Sequence, residues 1–389
     1  MEQIWTVQRI VEEIDKDDLI IYIGNSVDME AKVDKCTVLF SHELKRSGAP
    51  SVLLDMSKVL LELGYSVFLI CEEEGELLGE FVEQGVNVIL YRKMSKSPEW
   101  LIEVAKVFPE IWINSLALHY IACFLAPYSQ RLFWWIHEAE ITIESWIDKV
   151  KEIPMVPALK LVAASPLIQK SIRLFWDMEA ELLNFYIEDV PKVQIPKKEK
   201  LNIINVGDVN GNKGQEILLK AFEMLDNETK KKCELYFCGD NQRFNEQLLL
   251  KVLDFVDANE NVHMLEGMPK AELYEVYDEI DIVVVASYYE STSAVAVEGL
   301  MKEKLCICTE TCGVCEYLKD GESVLTFKRG DEKTLSEALY KAINQYDSLT
   351  SIRETGRRIY EKVYTREVFK GVLEEILSET LQINPKMNC

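Results

Sequence analysis

Glu290 and Glu298 stand eight residues apart in YYESTSAVAVEGL, a run that follows the apolar stretch DIVVVAS and reads as a loop opening into a helix. Glu290 falls in the loop and Glu298 about one turn into the helix. That spacing aims two carboxylates into one cleft, where one can accept hydrogen bonds from sugar hydroxyls and the other from a ribose diol. Ser291, Thr292 and Ser293 lie between them at the helix start, where backbone N–H groups and the helix dipole suit a diphosphate. The plainer alternative is an ordinary helix-start acid at Glu290 and an exposed helical acid at Glu298.

A second loop, VGDVNGNKGQ, also leads from a strand into a helix. Gly207, Gly211 and Gly214 permit close backbone approach, and Lys213 supplies a cation that can neutralise charge building on a leaving diphosphate. Its alternative is a solvated lysine in a turn. In the first half, SHELKRSGAPSVLL follows the strand CTVLF and puts Ser47, Gly48 and Ala49 before a helix expected to begin at Pro50. This is not the G-x-G-x-x-G fingerprint, which removes the main support for a nicotinamide cofactor. WWIHE puts His137 and Glu138 at the mouth of another strand. A lone histidine is more often structural than catalytic, but this one has the position a catalytic group needs.

These loops need strands behind them, because open parallel sheets bind ligands beyond the carboxyl ends of their strands. Short β-rich runs alternate with helix-length amphipathic segments, the rhythm of βα units. The first series is CTVLF, YSVFLI, VNVILY, IWIN, RLFWWI and LKLVAA; the second is LNIINV, ELYFC, VHML, DIVVVAS, LCICT and SVLTF. Two doubly wound Rossmann-like domains follow, with a Pro- and Lys-rich linker between them. The expected boundaries are 1–190 for the first domain, 191–200 for the linker and 201–365 for the second domain. Residues 366–389 are expected to form a helix crossing back to the first domain, and residues 1–35 an extension without a functional reading. The seven tryptophans all lie at or before Trp176, and the pair Trp134 and Trp135 reads as core.

At 389 residues the chain exceeds what one hydrophobic core usually supports, which agrees with two domains. A formal net charge of -23 argues against a nucleic-acid partner, since phosphate backbones need clustered cations. The start, MEQIWTVQRIVEEIDKDD, lacks the apolar core of a signal peptide, and no apolar run reaches membrane-helix length. A cytoplasmic protein is expected, with peripheral contact at the inner face of the membrane compatible with these features. Ten cysteines without a secretion signal read as reduced thiols. Cys306, Cys308, Cys312 and Cys315 offer either half of a metal site or a buried strand followed by a glycine turn; the spacing favours the strand.

Taken together, these runs resemble glycosyltransferase family 4 (group 1) from about residue 36 to 380. The most specific element is ESTSAVAVE followed by GVCEYLKDGESVLTF; VGDVNGNKGQEILLKAF, NVHMLEGMPKAELYEVY, SHELKRSGAP and WWIHE support it. The resemblance implies a GT-B fold, two Rossmann-like domains facing each other across a cleft, and retaining transfer of a sugar from a nucleoside-diphosphate sugar, UDP- or GDP-linked, to a glycan or glycoconjugate acceptor. It implies that Glu298 binds the ribose, Glu290 the transferred sugar, and Lys213, Gly207 and the N–H groups of Ser291, Thr292 and Ser293 the diphosphate, helped by Gly48 and Ala49. Met268, with Gly267, would border the base, and His137 the transferred sugar and acceptor hydroxyl. The nucleotide-sugar is a substrate, and neither a cofactor nor a divalent metal is implied. Closure about the linker is expected if the donor bridges the domains.

The chain departs from the family pattern at three places. Asp208 stands where an arginine is usual, Ser293 where a glycine is usual, and NFYIED where a proline-asparagine-glycine turn is usual. Asp208 keeps open a second reading, a catalytically silent GT-B subunit that steadies a partner glycosyltransferase or its acceptor. A sugar-nucleotide epimerase ranks below both, since its acid-base chemistry calls for more ionisable groups than these loops offer.

Overall fold

The computed structural model describes residues 19–24, 35–150, 153–191, 193, 196, 198–239 and 245–379. It divides into two compact units, Met1–Phe185 with Lys370–Cys389, and Tyr186–Phe369. Each is a doubly wound sheet flanked by helices, as the alternation of runs predicts.

The first unit carries an eight-stranded sheet in the order β1-β4-β3-β2-β5-β6-β7-β8. Its strands are β1 (Leu19–Tyr22), β2 (Cys36–Phe40), β3 (Ser66–Cys71), β4 (Asn87–Tyr91), β5 (Glu110–Asn114), β6 (Leu132–Ile136), β7 (Leu159–Ala163) and β8 (Glu181–Leu182). All pairs are parallel except β1 with β4. β2, β5 and β6 are buried at every residue, which is why they read as predominantly apolar runs, with Thr37, Glu110 and Asn114 as their buried polar residues. Helices α1 (Gly48–Glu62), α2 (Leu78–Gln84), α3 (Pro98–Val107), α4 (His119–Leu125), α5 (Glu140–Trp146) and α6 (Pro166–Trp176) form the connections. Trp134 and Trp135 are core, their indole N–H groups given to the carbonyls of Ser115 and Leu183. β1 is the part of the N-terminal extension that the strand pattern did not foresee, a fourth-strand partner added antiparallel at the sheet edge.

The second unit has six parallel strands in the order β11-β10-β9-β12-β13-β14. They are β9 (Leu201–Val206), β10 (Cys233–Gly239), β11 (Val262–Glu266), β12 (Ile282–Val285), β13 (Leu305–Thr309) and β14 (Leu325–Phe327). Between them run α7 (Gln215–Glu223), α8 (Asn227–Lys230), α9 (Glu246–Ala258), α10 (Lys270–Asp278) and α11 (Ala294–Met301). The chain continues through α12 (Glu332–Asn344), α13 (Thr350–Val363) and α14 (Arg366–Glu379). Ile203, Phe237, Val284, Ile307, Phe222 and Leu339 lie in its buried core.

The units separate between Phe185 and Tyr186 and again between Phe369 and Lys370. Residues just past the first point pack on the second unit: the Ile187 N–H donates to Tyr364 O, Tyr360 Oη donates to Ile187 O, and Arg357 pairs with Asp189. The end of α14 packs on the first unit, where Arg131 Nη2 donates to Leu377 O at 2.7 Å. Among the described residues no helix is long and apolar enough to cross a membrane.

Candidate functional site

In the second unit the strand order reverses between β9 and β12, and the loops leaving these two strands flank the point of reversal. They are stitched together by Asn212, whose backbone carbonyl accepts from Tyr288 N–H, whose Oδ1 accepts from Tyr289 N–H and whose Nδ2 donates to Tyr289 O. Gly214, which precedes α7, has φ +70, and a Cβ there would lie 2.0 Å from Ala286 O, so only glycine lets the loops approach this closely. Lys213 Nζ consequently reaches Glu290 Oε1 at 2.7 Å, its stem lying against Gly207. Ser287 Oγ donates to the same oxygen at 2.8 Å. Glu290 is thus no ordinary helix-start acid, and Lys213 is not a freely solvated lysine.

The turn after β13 backs the Glu290 loop. Gly313 N–H donates to Glu290 O, Val314 N–H to Thr292 O, and Cys312 Sγ to Thr292 O at 3.1 Å. A Cβ on Gly313 would lie 1.8 Å from Ser291 O, which fixes glycine here. Ser293 caps α11, its Oγ accepting from Ala296 N–H, and it does so at φ +84, a conformation that favours glycine. The side chain that replaces the usual glycine therefore keeps a glycine-like backbone, with strain stored at the loop.

Glu298, in α11, is 4 % exposed, which rules out the exposed-acid alternative. Tyr277 Oη donates to its Oε2 at 3.2 Å, and Lys270 Nζ lies 3.7 Å from its Oε1. Burial pushes its carboxyl above the usual range against the opposing pull of Lys270. Glu290 and Glu298 are therefore held by separate partner sets. Met268 is half-buried in the loop from β11 to α10, two residues before Lys270. Asp208 gives its backbone carbonyl to Gln215 Nε2 at 3.0 Å.

Cys306 and Cys308 are buried in β13, and Cys312 and Cys315 follow in the turn. Cys312 donates to Thr292 O and Cys315 to Thr309 O. Among the described residues no three of His, Cys, Asp and Glu converge in a way that could hold a metal ion.

In the first unit, the order reverses between β2 and β5. The helix after β2 begins at Gly48, two residues before the expected Pro50. Ser47 is extended, and proline is tolerated within a first helical turn, so Gly48 and Ala49 are themselves the first helical residues. Ser47 makes no side-chain cap. Asn114, at the end of β5, donates Nδ2 to Ala49 O at 3.0 Å and receives His137 Nε2 on Oδ1 at 2.8 Å. Burial, with a like-charge contribution from His42, holds the His137 imidazole down to about 3. Glu138 turns inward as a clamp, accepting from Ser115 Oγ, Leu116 N–H and His137 N–H.

Asn114, Asn212, Lys270, Tyr277 and Ser287 were not singled out from sequence. Asn114 had a signal, a polar residue closing an apolar strand in IWIN; Lys270 and Tyr277 stood inside a run whose outline was read but whose side chains were not.

Comparison with known proteins agrees in both halves. The family described as glycosyl transferases group 1 matches residues 187–359, and that described as glycosyl-transferase family 4 matches residues 33–173. The chain is similar to a D-inositol 3-phosphate glycosyltransferase of Corynebacterium jeikeium (strain K411), 31% identical over 142 residues, 36% of this chain and 34% of that protein. It is also similar to the capsular polysaccharide biosynthesis glycosyltransferase CapM of Staphylococcus aureus, 23% identical over 128 residues, 33% of each chain. The chain thus spans about a third of the length of these curated relatives. Among solved structures, Anabaena Alr3699/HepE in complex with UDP-glucose superposes with a TM-score of 0.75 at 12% identity, over 88% of this chain and 99% of that one. The chain thus has the GT-B fold of its solved neighbour, and its two halves match, in succession, glycosyl-transferase family 4 and the glycosyl transferases of group 1.

Proposed function

We propose that the chain is a retaining glycosyltransferase that moves a sugar from a nucleoside-diphosphate sugar, UDP- or GDP-linked, to a hydroxyl of a glycan, glycolipid or glycoconjugate in surface polysaccharide synthesis. The observation that carries this reading is the Lys213–Glu290 pair at the switch point of the second unit. A cation and a carboxylate held together at the loops where such sheets bind ligands can separate onto a donor: Lys213 onto the diphosphate, Glu290 onto the sugar hydroxyls. Glu298 would take the ribose diol, with Ser291, Thr292 and Ser293 contributing backbone N–H groups to the diphosphate. Gly207 lets the chain approach the phosphates and Met268 borders the base. Within the first unit, Gly48 and Ala49, at the start of a 15-residue helix, offer N–H donors to an anion, and His137 offers a neutral imidazole.

Chemically, the leaving diphosphate gains negative charge as its bond to the anomeric carbon breaks, and the Lys213 cation stabilises that charge. The departing phosphate oxygen then takes the acceptor's proton on the same face of the sugar, which retains configuration without a protein nucleophile. The names of the relatives, a UDP-glucose complex and a capsular polysaccharide enzyme, support the donor and acceptor classes.

The test is thermal stabilisation by UDP, GDP, dTDP, ADP and CMP in excess chelator, with Glu298→Ala in parallel. A shift for one nucleotide that is absent from the variant is expected, followed by transfer from the matching sugar donor with chelator still present. No shift with any nucleotide would overturn the enzyme reading in favour of a silent subunit. Transfer that requires added divalent metal would overturn the role of Lys213 as the main charge stabiliser.

A further inference from the structure

We propose that Asn114 is a positioning residue that sets the tautomer of His137: the ring gives its Nε2 proton to Asn114 and leaves Nδ1 as an acceptor for a substrate hydroxyl. The second half, the hydroxyl, rests on the glycosyltransferase reading; the first half does not.

Asn114 is 1 % exposed, so each end of its amide must find a partner. Its Nδ2 is committed to Ala49 O, a carbonyl that can only accept. Oδ1 is therefore the end that faces His137, and across 2.8 Å an acceptor on Asn114 requires a proton on Nε2. A flipped amide would set its NH2 against the imidazole and its oxygen against the Ala49 carbonyl, losing one bond and adding a repulsion.

The ring has little freedom to escape this arrangement. Trp135 packs on it with centroids 4.4 Å apart, and its backbone N–H is held by Glu138 Oε2 at 3.0 Å. Glu138 is fixed in turn through Oε1 by Ser115 Oγ at 2.5 Å and Leu116 N–H at 2.8 Å. The titratable groups around the ring are His42 and, beyond it, Glu43 from the loop after β2, whose Oε1 lies 3.6 Å from His42 Nε2, together with Glu138 from its own loop. β5 contributes the neutral Asn114. Among the described residues no carboxylate is bonded to the ring, and burial keeps the imidazole neutral.

The consequence is chemical selectivity. A neutral imidazole with its proton directed inward offers the outside one lone pair, which recognises an O–H donor and gives nothing to a phosphate oxygen. Asn114 also ties His137 to the turn at Gly48 and Ala49, so the imidazole and the first N–H groups of α1 keep a fixed relation.

The experiment is nitrogen NMR of the unliganded full chain with labelled histidine. The chain has four histidines, and loss of one signal set in His137→Gln assigns the ring. Expected is a protonated Nε2 and a bare Nδ1 that stay unchanged from about pH 8 to about pH 5. A proton on Nδ1, or an imidazolium forming in that range, overturns the proposal. Asn114→Asp should place a carboxylate against Nε2 and make the ring titrate within this range. Its kcat/KM should then fall about tenfold between about pH 8 and about pH 6, where the parent is flat with respect to this group. A variant with the parental NMR response and the parental pH profile overturns it as well. Because the tautomer is read without substrate, absence of any transfer would defeat the functional reading and leave this measurement decisive for Asn114.

Discussion

Lys213 Nζ lies 2.7 Å from Glu290 Oε1 although 77 positions separate the two residues in the chain. The contact joins the loops that leave β9 and β12, the two strands between which the second sheet reverses its order. Both side chains are mostly buried, at 29% and 14% exposure, so the pair is more than a solvated surface contact.

Lys213→Met tests what the cation does. Ser287 still holds Glu290 in the variant, so the fold should survive with a Tm within a few degrees of the parent. The transfer rate should fall by about 100-fold or more, the scale on which removing one charge-stabilising donor acts. Initial rates at saturating donor and a melting curve check this; a near-parental rate would remove Lys213 from the chemistry.

Ser293 offers a test of strain. At φ +84 a side chain costs on the order of 1 to 2 kcal/mol, while its Oγ regains part of that by capping Ala296 N–H. Ser293→Gly removes the strain, loses a few tenths of a kcal/mol of capping and increases the freedom of the unfolded chain, for a net gain of about 0.5 kcal/mol. Ser293→Val keeps the strain, adds a branch and removes the cap, so it should lose about 2 kcal/mol. Urea unfolding of the two variants checks the ordering, and an equally stable pair would argue against strain at this residue.

The sheets were legible because buried parallel strands announce themselves. CTVLF, LNIINV and LCICT became β2, β9 and β13 residue for residue, since apolar residues dominate them and the buried side chains of Asn205 and Thr37 donate inside the sheet, to Val284 O and Glu110 O. The antiparallel edge strand β1 was not legible, because LIIYIG has no alternation and its partner lies far along the chain. At the candidate site, the loops that carry Lys213 and Glu290 were legible from their place after strands, but their contact was not, because it depends on Asn212 bridging two distant loops. Asn114 was missed for a related reason: its meaning comes from Ala49 and His137 together, neither of which is near it in sequence. The early start of α1 at Gly48 shows the limit of reading Pro50 as a first helical residue, when a first turn accepts proline at more than one position.

Glu298 separates the effect of charge from that of shape. Glu298→Gln keeps an acceptor for Tyr277 Oη, whereas Glu298→Ala leaves that buried hydroxyl without it and should lose about 1 to 3 kcal/mol. Both should weaken nucleotide binding about tenfold or more if the carboxylate takes a ribose diol. The carboxyl is raised by burial, so the folded chain disfavours its ionisation, and that cost grows as pH rises from the unfolded value of about 4.3. Glu298→Gln should therefore gain stability relative to the parent as pH increases through this window. Isothermal titration with nucleotide and melting curves at several pH values check both parts.

His137 gives the opposite sign. Its imidazole is held near 3 in the folded chain, against about 6.5 when unfolded, so below about 6.5 the unfolded chain takes up a proton that the folded chain refuses. The stability this group allows is fully present above about pH 6.5 and is lost progressively as pH falls toward 3, at no more than about 1.4 kcal/mol per pH unit. His137→Asn cannot titrate and escapes that loss. At pH 7.5 the variant should be the less stable, having lost the Trp135 packing and the bond to Asn114. At pH 5 the gap should narrow by up to about 2 kcal/mol. Urea unfolding of both chains at the two pH values measures the difference directly. A gap that stays constant would mean that His137 accepts its proton in the folded state as readily as in the unfolded one, and the neutral imidazole would have to be given up.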